Sequence, residues 1–206
     1  MYLSRIDLNL SDPRVRNALR DAQQMHRLLT GLFNMSRSDN DLLYRCRIIG
    51  GHVSVYMYSN TAILRDRILS CMQLRGERDL SDWVEGMQEG QIFAFNTLTM
   101  PFKKVEESNN KNSRRRVLRT IEERYQWFEK KAKQNGFALL NVDESESEKI
   151  RVLHGTEKGG RMTMDTYCYW GMLKITDPVL FRKAICHGIG AGRSYGLGML
   201  LLKGQG

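Results

Sequence analysis

Histidine is the side chain best suited to general acid–base chemistry near neutral pH, because its pKa lies close to that range. The chain has four histidines: His26, His52, His154 and His187. Asp21 and Gln24 have the spacing of an N-cap and its N3 partner, so they predict a helix start that places His26 in the first two turns beside Arg27. The positive end of a helix dipole lowers the pKa of an imidazole, and a neutral imidazole can act as a base. The pattern predicts a general acid–base role for His26.

A second phasing of the same segment stays open. One continuous helix from Pro13 would align His26 with Val15, Leu19 and Leu29, and would make it a buried core residue. The capping pattern at Asp21 favours the first phasing.

Three segments have residues suited to contact with a polyanionic partner. The first is a basic cluster of Arg114, Arg115, Arg116 and Arg119. The second is a predicted hairpin turn with Lys158 and Arg161. The third is a glycine-rich segment in which the candidate contacts are Gly188, Gly190, Gly192, Arg193 and Ser194. Solvated basic faces and a purely structural helix-to-strand loop are the alternatives.

The glycine-rich segment favours close approach of a phosphate backbone, since glycine permits φ > 0 and carries no side chain. A dinucleotide-binding turn is excluded because the glycines follow a predicted helix and only eight residues remain after Gly198. We expect this segment to bind the backbone of a nucleic acid, on the half of the molecule opposite His26.

The composition is that of a globular protein with an excess of positive charge. Of 206 residues, 41% are hydrophobic, and 32 Lys and Arg against 23 Asp and Glu give a formal net charge of +9. This balance favours nucleic acid as a partner. The four cysteines are scattered without metal-ligand spacing, so we expect neither a metal nor a cofactor. No apolar run reaches the ~18 residues of a membrane span, and we expect a cytoplasmic protein without a membrane partner.

The predicted elements are two α+β units in tandem. Strands are predicted at 2–10, 42–49, 53–58 and 91–99, with helices at 22–33 and 61–73, which gives the βαββαβ order of a ferredoxin-like domain over residues 1–100. Residues 101–116 are predicted to be a basic linker. Residues 117–206 are predicted to form a second ferredoxin-like domain, with helices at 120–135 and 178–186, strands at 137–142, 150–153 and 162–175, and a terminal strand.

Five segments of the chain resemble the CRISPR-associated CasE family, whose members process precursor crRNA in the type I-E Cascade complex. They are Met1-Tyr-Leu-Ser-Arg5, Met25-His-Arg-Leu28, residues 124–137, Gly171-Met-Leu-Lys-Ile-Thr-Asp-Pro178 and residues 188–202. The resemblance implies two tandem ferredoxin-like domains and metal-independent cleavage at the base of a CRISPR repeat stem-loop. In that reaction the 2′-hydroxyl attacks and leaves a cyclic phosphate and a 5′-hydroxyl. It also implies that the crRNA stays bound and that other Cascade subunits are partners.

The same resemblance implies roles for particular residues. His26 matches the family's catalytic histidine, the segment from Gly188 to Gly198 its glycine-rich loop, and residues 114–119 its basic segment. Arg27 and Gln23 are candidates for transition-state support. Gln23 stands where family members have tyrosine, and Met100-Pro101 stands where they have Asn-Pro. A non-catalytic or slow hairpin-binding subunit and a general tandem RNA-recognition module are the alternative functions.

Overall fold

The computed structural model describes residues 1–33, 42–49, 52–105, 114–145, 148–153 and 161–204; of Ile49, Arg114, Arg115 and Arg161 it describes the backbone only. The strands are β1 (Tyr2–Leu8), β2 (Leu43–Ile49), β3 (His52–Ser59), β4 (Met72–Asp79), β5 (Ile92–Thr99), β6 (Phe102–Val105), β7 (Arg114–Val117), β8 (Phe137–Glu144), β9 (Glu148–Leu153), β10 (Arg161–Ile175) and β11 (Leu201–Gly204). The helices are α1 (Pro13–Arg20), α2 (Ala22–Thr30), α3 (Ser81–Glu85), α4 (Ile121–Gln134) and α5 (Pro178–His187). None of the helices in these ranges is long and apolar enough to cross a membrane.

The chain forms two main β-sheets, each with four strands paired in sequence across the sheet. The first sheet has the order β2-β3-β1-β4, and the second runs β11-β5-β10-β8, with β9 paired to the first half of β10. Within each unit this order is fourth, first, third, second, which is the ferredoxin-like arrangement. The predicted α+β class with two ferredoxin-like units is therefore confirmed.

Each unit has its own apolar core. In the first unit, Ile6 of β1 and Val55 of β3 pack against Val15 of α1 and Leu29 of α2. In the second unit, aromatic rings fill the space beneath α4, and Phe128 stacks on Tyr169 with ring centroids 4.4 Å apart. The opposite face of the first sheet contributes Leu43 and Tyr58 to this second core. The two units are therefore joined by buried apolar contact.

The prediction of a helix over residues 61–73 is wrong. This connection has only a 3₁₀ turn at Arg65–Arg67, and the sheet resumes at Met72 with β4. The backbone N–H groups of Ile63 and Leu64 donate to the Glu77 carboxylate and the Leu32 carbonyl. These tertiary partners replace the helical carbonyls and hold the segment extended.

The strand predicted at 91–99 exists as β5, but it belongs to the second sheet. It pairs with β10 and β11, and Phe93 and Phe95 lie in the second core. The place expected for it in the first sheet is filled by β4, a largely exposed strand beside β1. The boundary between the two sheets therefore lies between β4 and β5. Residues 101–116, expected to be a linker, contribute to the paired strands β6 and β7.

Two separate helices, and not one continuous helix, precede β2. Asp12 caps α1, which ends at Arg20, and Asp21 then caps α2. The break at Asp21 is the phasing that places His26 in the second turn of α2. The helices and strands predicted after residue 117 are also present, within a few residues of the expected bounds.

Candidate catalytic site and nucleic-acid interface

The start of α2 is fixed between the two units by one carboxylate. Asp21 is 4% exposed, and its Oδ1 accepts hydrogen bonds from the backbone N–H of Gln23 at 3.0 Å and of Leu153 at 3.1 Å. The first bond caps α2, and the second ties the cap to β9 of the second unit. The helix that carries His26 is therefore anchored to both ferredoxin-like units.

Tyr44 of β2 supports the His26 ring. The two rings are stacked, with centroids 6.3 Å apart and planes inclined by 23°. The Tyr44 hydroxyl lies 3.3 Å from the Ala22 carbonyl and 3.1 Å from the Ser194 carbonyl, so its proton is shared between α2 and the glycine-rich segment. Burial raises the pKa of Tyr44 well above its ordinary value, and the phenol therefore stays neutral and remains a donor.

The glycine-rich segment closes directly onto Tyr44. Gly196 has a φ of 80°, and a Cβ built on it would lie 2.9 Å from Tyr44 Cε2. Only glycine meets both the left-handed backbone and this close approach. The adjoining 3₁₀ turn at Arg193–Tyr195 exposes Arg193 and Ser194, and Arg193 Nη1 donates to the His187 carbonyl at 2.8 Å.

The expectation that the glycine-rich segment lies across the molecule from His26 is wrong. A single apolar cluster joins Ala22 of α2, Phe102 at the base of β6, and Ala191 and Tyr195 of the glycine-rich segment. Its buried members include Leu98, Met100, Val152 and Leu197. The second unit therefore contributes residues to the same region as the helix that carries His26.

The basic cluster is built on a small hairpin. Strands β6 and β7 pair Lys103 with Arg116 and Lys104 with Arg115. Arg116 Nη2 donates to Glu123 at 2.8 Å, and the Arg119 backbone N–H donates to the same carboxylate. The exposed cations are thus presented on a paired strand that is attached to the start of α4.

A buried ion pair fixes the base of this hairpin. The Arg124 guanidinium pairs with Glu144, and the two side chains are 10% and 4% exposed. Arg124 also donates to the Arg119 carbonyl at 2.6 Å and lies over the Tyr167 ring, 4.1 Å from its centroid. These contacts hold the end of β7 against α4 and β8.

Sequence reasoning missed a basic groove at the junction of α1 and α2. It has a cavity volume of about 790 Å³, and its cations are Arg14, Arg20 and Arg27. Gln23 also faces this groove, so Gln23 and Arg27 line a surface continuous with α1. The signal was present as arginines around the Asp21 break, but it is visible only once the helix is known to break there. The role of Tyr44 was missed too, because the sequence alone does not show which residues pack against a given position of a strand.

Four of the predicted RNA contacts fall wholly or in part outside the described residues. Lys158 is outside the described residues, as are the side chains of Arg114, Arg115 and Arg161. Among the residues that are described, no three His, Cys, Asp or Glu side chains lie close enough together to hold a metal ion.

The fold and the site define a class of protein: a tandem ferredoxin-like chain in which a histidine on a helix lies close to a glycine-rich loop. A family model described as CRISPR associated protein matches residues 1–203, and the chain belongs to that family. This confirms the resemblance to the CasE proteins.

Known relatives span the whole chain. It is 22% identical to the CRISPR-associated endoribonuclease Cse3 of Thermus thermophilus, over 97% of this chain and 98% of that protein. A solved structure of Cse3 bound to a 19-nt RNA superposes with a TM-score of 0.87 at 22% identity, covering 98% of this chain and 100% of that one. A chain of a CRISPR RNA-guided surveillance complex matches with a TM-score of 0.76 at 23% identity, covering 98% of this chain and 99% of that one. These superpositions establish the fold.

Proposed function

We propose that this protein is a metal-independent endoribonuclease that cuts precursor CRISPR RNA at the base of the repeat stem-loop and stays bound to the product. One observation carries the proposal. The buried Tyr44 connects His26 to the exposed Arg193–Ser194 turn, through ring stacking on one side and a hydrogen bond to Ser194 on the other. The name and the RNA-bound form of the relative Cse3 support the same class of activity.

His26 is the general acid or base of the proposed reaction. The 2′-hydroxyl that precedes the scissile phosphate loses its proton and attacks phosphorus, and the P–O5′ bond breaks. The products are a 2′,3′-cyclic phosphate and a 5′-hydroxyl, so the proton removed from one oxygen is balanced by the proton gained at the other. Stacking on Tyr44 restricts the imidazole to one orientation, which lowers the entropic cost of reaching the reactive geometry.

Positive and polar groups on α2 support the transition state. Arg27 is exposed one residue from His26, and Gln23 lies three residues before it, on the same side of the helix. The Arg27 guanidinium offsets the charge that grows on the pentacovalent phosphorane. Gln23 can donate a hydrogen bond, but an amide transfers no proton at neutral pH. Proton transfer therefore falls to His26.

The hairpin of β6 and β7 is the proposed contact for the RNA stem. An A-form helix hides its base edges in a deep major groove, so proteins recognise it by shape and phosphates. Arg116 is exposed on β7 and Arg119 is exposed between β7 and α4, and Arg193 with Ser194 is the proposed clamp on the backbone near the cut. The whole-chain match to a component of a CRISPR RNA-guided surveillance complex supports retention with other Cascade subunits.

The reaction type is tested with two hairpin RNAs in EDTA. One has an all-ribose backbone, and the other has 2′-deoxyribose at the nucleotide before the cut. The proposal predicts cleavage of the first RNA only, with cyclic phosphate and 5′-hydroxyl ends. Cleavage of the deoxy RNA, or a requirement for added Mg²⁺, would contradict it.

A non-catalytic hairpin-binding subunit is the second candidate, favoured by Gln23 in place of the family's tyrosine. It predicts tight hairpin binding with neither RNA cut. A general RNA-recognition module predicts a preference for single strands over the hairpin.

A further inference from the structure

A large groove between the two units begins beside the proposed catalytic site, at Tyr44 and Gly196, and extends beyond it. It has a cavity volume of about 1050 Å³ and runs from the end of α1 along β2 to β9 and β10. Its floor includes Arg45 of β2, Asn96 of β5, and Cys168 and Trp170 of β10. The two ferredoxin-like units therefore form the groove together.

Arg45 is a buried cation at the floor of this groove. It is 6% exposed, and its Nη2 donates to Cys168 Sγ at 3.5 Å. Its Nε has no hydrogen-bond partner in the part of the chain that is described. Burial lowers the pKa of the guanidinium because the charged form loses water. Buried charges in proteins are almost always paired, so an acceptor supplied by a ligand would offset this cost.

Asn96 offers the complementary acceptor. Its Nδ2 donates to Cys168 Sγ at 3.2 Å, and its Oδ1 lacks a hydrogen-bond partner among the described residues. The Arg45 and Asn96 side chains thus line one cavity, and each has a buried polar atom without a hydrogen-bond partner among the described residues. A nucleobase edge presents a matching acceptor and donor.

Trp170 supplies a flat apolar surface next to these groups. It lies directly opposite Asn96 in the antiparallel register of β10 and β5, and it is 40% exposed. Single-stranded RNA is bound where unstacked bases meet an aromatic side chain and hydrogen-bonding groups.

The charge of the groove favours a polyanion. Four further cations line it, Arg20, Arg47, Lys149 and Arg151, against one carboxylate, Glu148, among the described residues. A neutral or basic protein segment would gain nothing from this excess, whereas the phosphates of a nucleic acid strand match it.

We propose that this groove binds single-stranded RNA that flanks the hairpin, with one base stacked on Trp170 and hydrogen-bonded to Arg45 and Asn96. The rim cations contact its phosphates. The inference rests on the proposed function, because the hairpin is what brings the flanking strand to the groove. It adds a second RNA site, which reads an unpaired nucleotide and takes no part in the cut.

The test compares the dissociation constants of three RNAs at one salt concentration: the bare hairpin, the hairpin with eight uridines on its 5′ side, and the hairpin with eight uridines on its 3′ side. Wild type is expected to bind one of the flanked hairpins about tenfold more tightly than the bare one, since each stacked base contributes roughly a factor of ten. Trp170→Ala should abolish that gain and leave bare-hairpin affinity unchanged. Trp83→Ala is the matched control, because Trp83 is 37% exposed and lies outside the groove.

Asn96→Ala gives an independent readout of base recognition. It should reduce the gain for flanks of some nucleotides more than others, when oligo-A and oligo-C flanks are compared with oligo-U. Thermal unfolding of each variant identifies a loss caused by misfolding, which would weaken bare-hairpin binding as well.

The outcomes separate the two proposals. No gain from either flank in wild type, or the same gain in Trp170→Ala, overturns the groove proposal. If Trp170→Ala instead weakens only assembly with the other subunits of the complex, the groove is a protein-docking surface and the RNA proposal is wrong. Failure to bind or cut the bare hairpin contradicts the proposed function itself.

Discussion

Gly196 and Gly90 have nearly the same φ angle but different surroundings, and the comparison tests how the site is assembled. Their φ angles are 80° and 87°; a Cβ at Gly196 would lie 2.9 Å from Tyr44, whereas nothing lies within 4 Å of one at Gly90. An alanine in the left-handed region costs about 1–2 kcal/mol at either position. Overpacking against a buried ring adds about 1–3 kcal/mol at Gly196 alone. The Tyr44 ring cannot move aside without loosening its bonds to Ala22 and Ser194.

Gly196→Ala is therefore expected to lower the free energy of unfolding by about 1–3 kcal/mol more than Gly90→Ala does. Urea denaturation measures the difference, and the effect of alanine on the unfolded chain cancels between the two variants. Because displacement of Tyr44 disturbs His26, single-turnover cleavage by Gly196→Ala should also fall by about tenfold or more, with Gly90→Ala close to wild type. Equal stability and equal cleavage of the two variants would refute the claim that the glycine-rich segment positions the catalytic site through Tyr44.

Three further predictions concern a buried ion pair, a helix cap and an exposed arginine. Glu144→Gln leaves the Arg124 charge buried without its carboxylate, so the free energy of unfolding should fall by about 3 kcal/mol. Urea denaturation measures this change, and an unchanged value would show that the pair contributes no stability. The side-chain hydrogen bond from Arg14 lowers the pKa of Asp12 from 3.8 to about 2, so its contribution is present above pH 4 and is lost as pH falls towards 2. Asp12→Asn should therefore flatten the decline of the melting temperature over that range, and an unchanged decline would contradict this. Arg116→Gln should weaken hairpin binding and reduce the slope of log K against log salt by about one, whereas an unchanged slope would place Arg116 outside the RNA contact.

Local signals in the sequence predicted most of the second unit. Thr120 and Asp177 cap α4 and α5 as their residue types indicate, and the strands between them follow the apolar alternation. The break at Asp21 was predictable for the same reason, since an N-cap acts through its own N2 and N3 backbone groups. These features depend on neighbours in the chain.

Features that depend on distant partners could not be predicted. The helical appearance of residues 61–73 is overridden by bonds to Glu77 and Leu32, and β4 is too polar to show the alternation of a strand because most of it is exposed. The role of Tyr44 depends on His26 and Ser194, which are distant in the sequence and contact this strand residue only in the folded chain. The proximity of the glycine-rich segment to α2 likewise follows from the way the two units pack. Patterns in a single sequence carry no information about that packing.

His26 is the central claim, and its removal is the most direct test. Single-turnover cleavage of the repeat hairpin in EDTA should fall by about 10²–10⁴-fold in His26→Ala, with hairpin affinity retained, because general acid–base catalysis contributes an effect of that size. His52→Ala, at an exposed histidine in β3, should cleave like wild type. Equal cleavage by the His26→Ala variant and wild type would contradict the account.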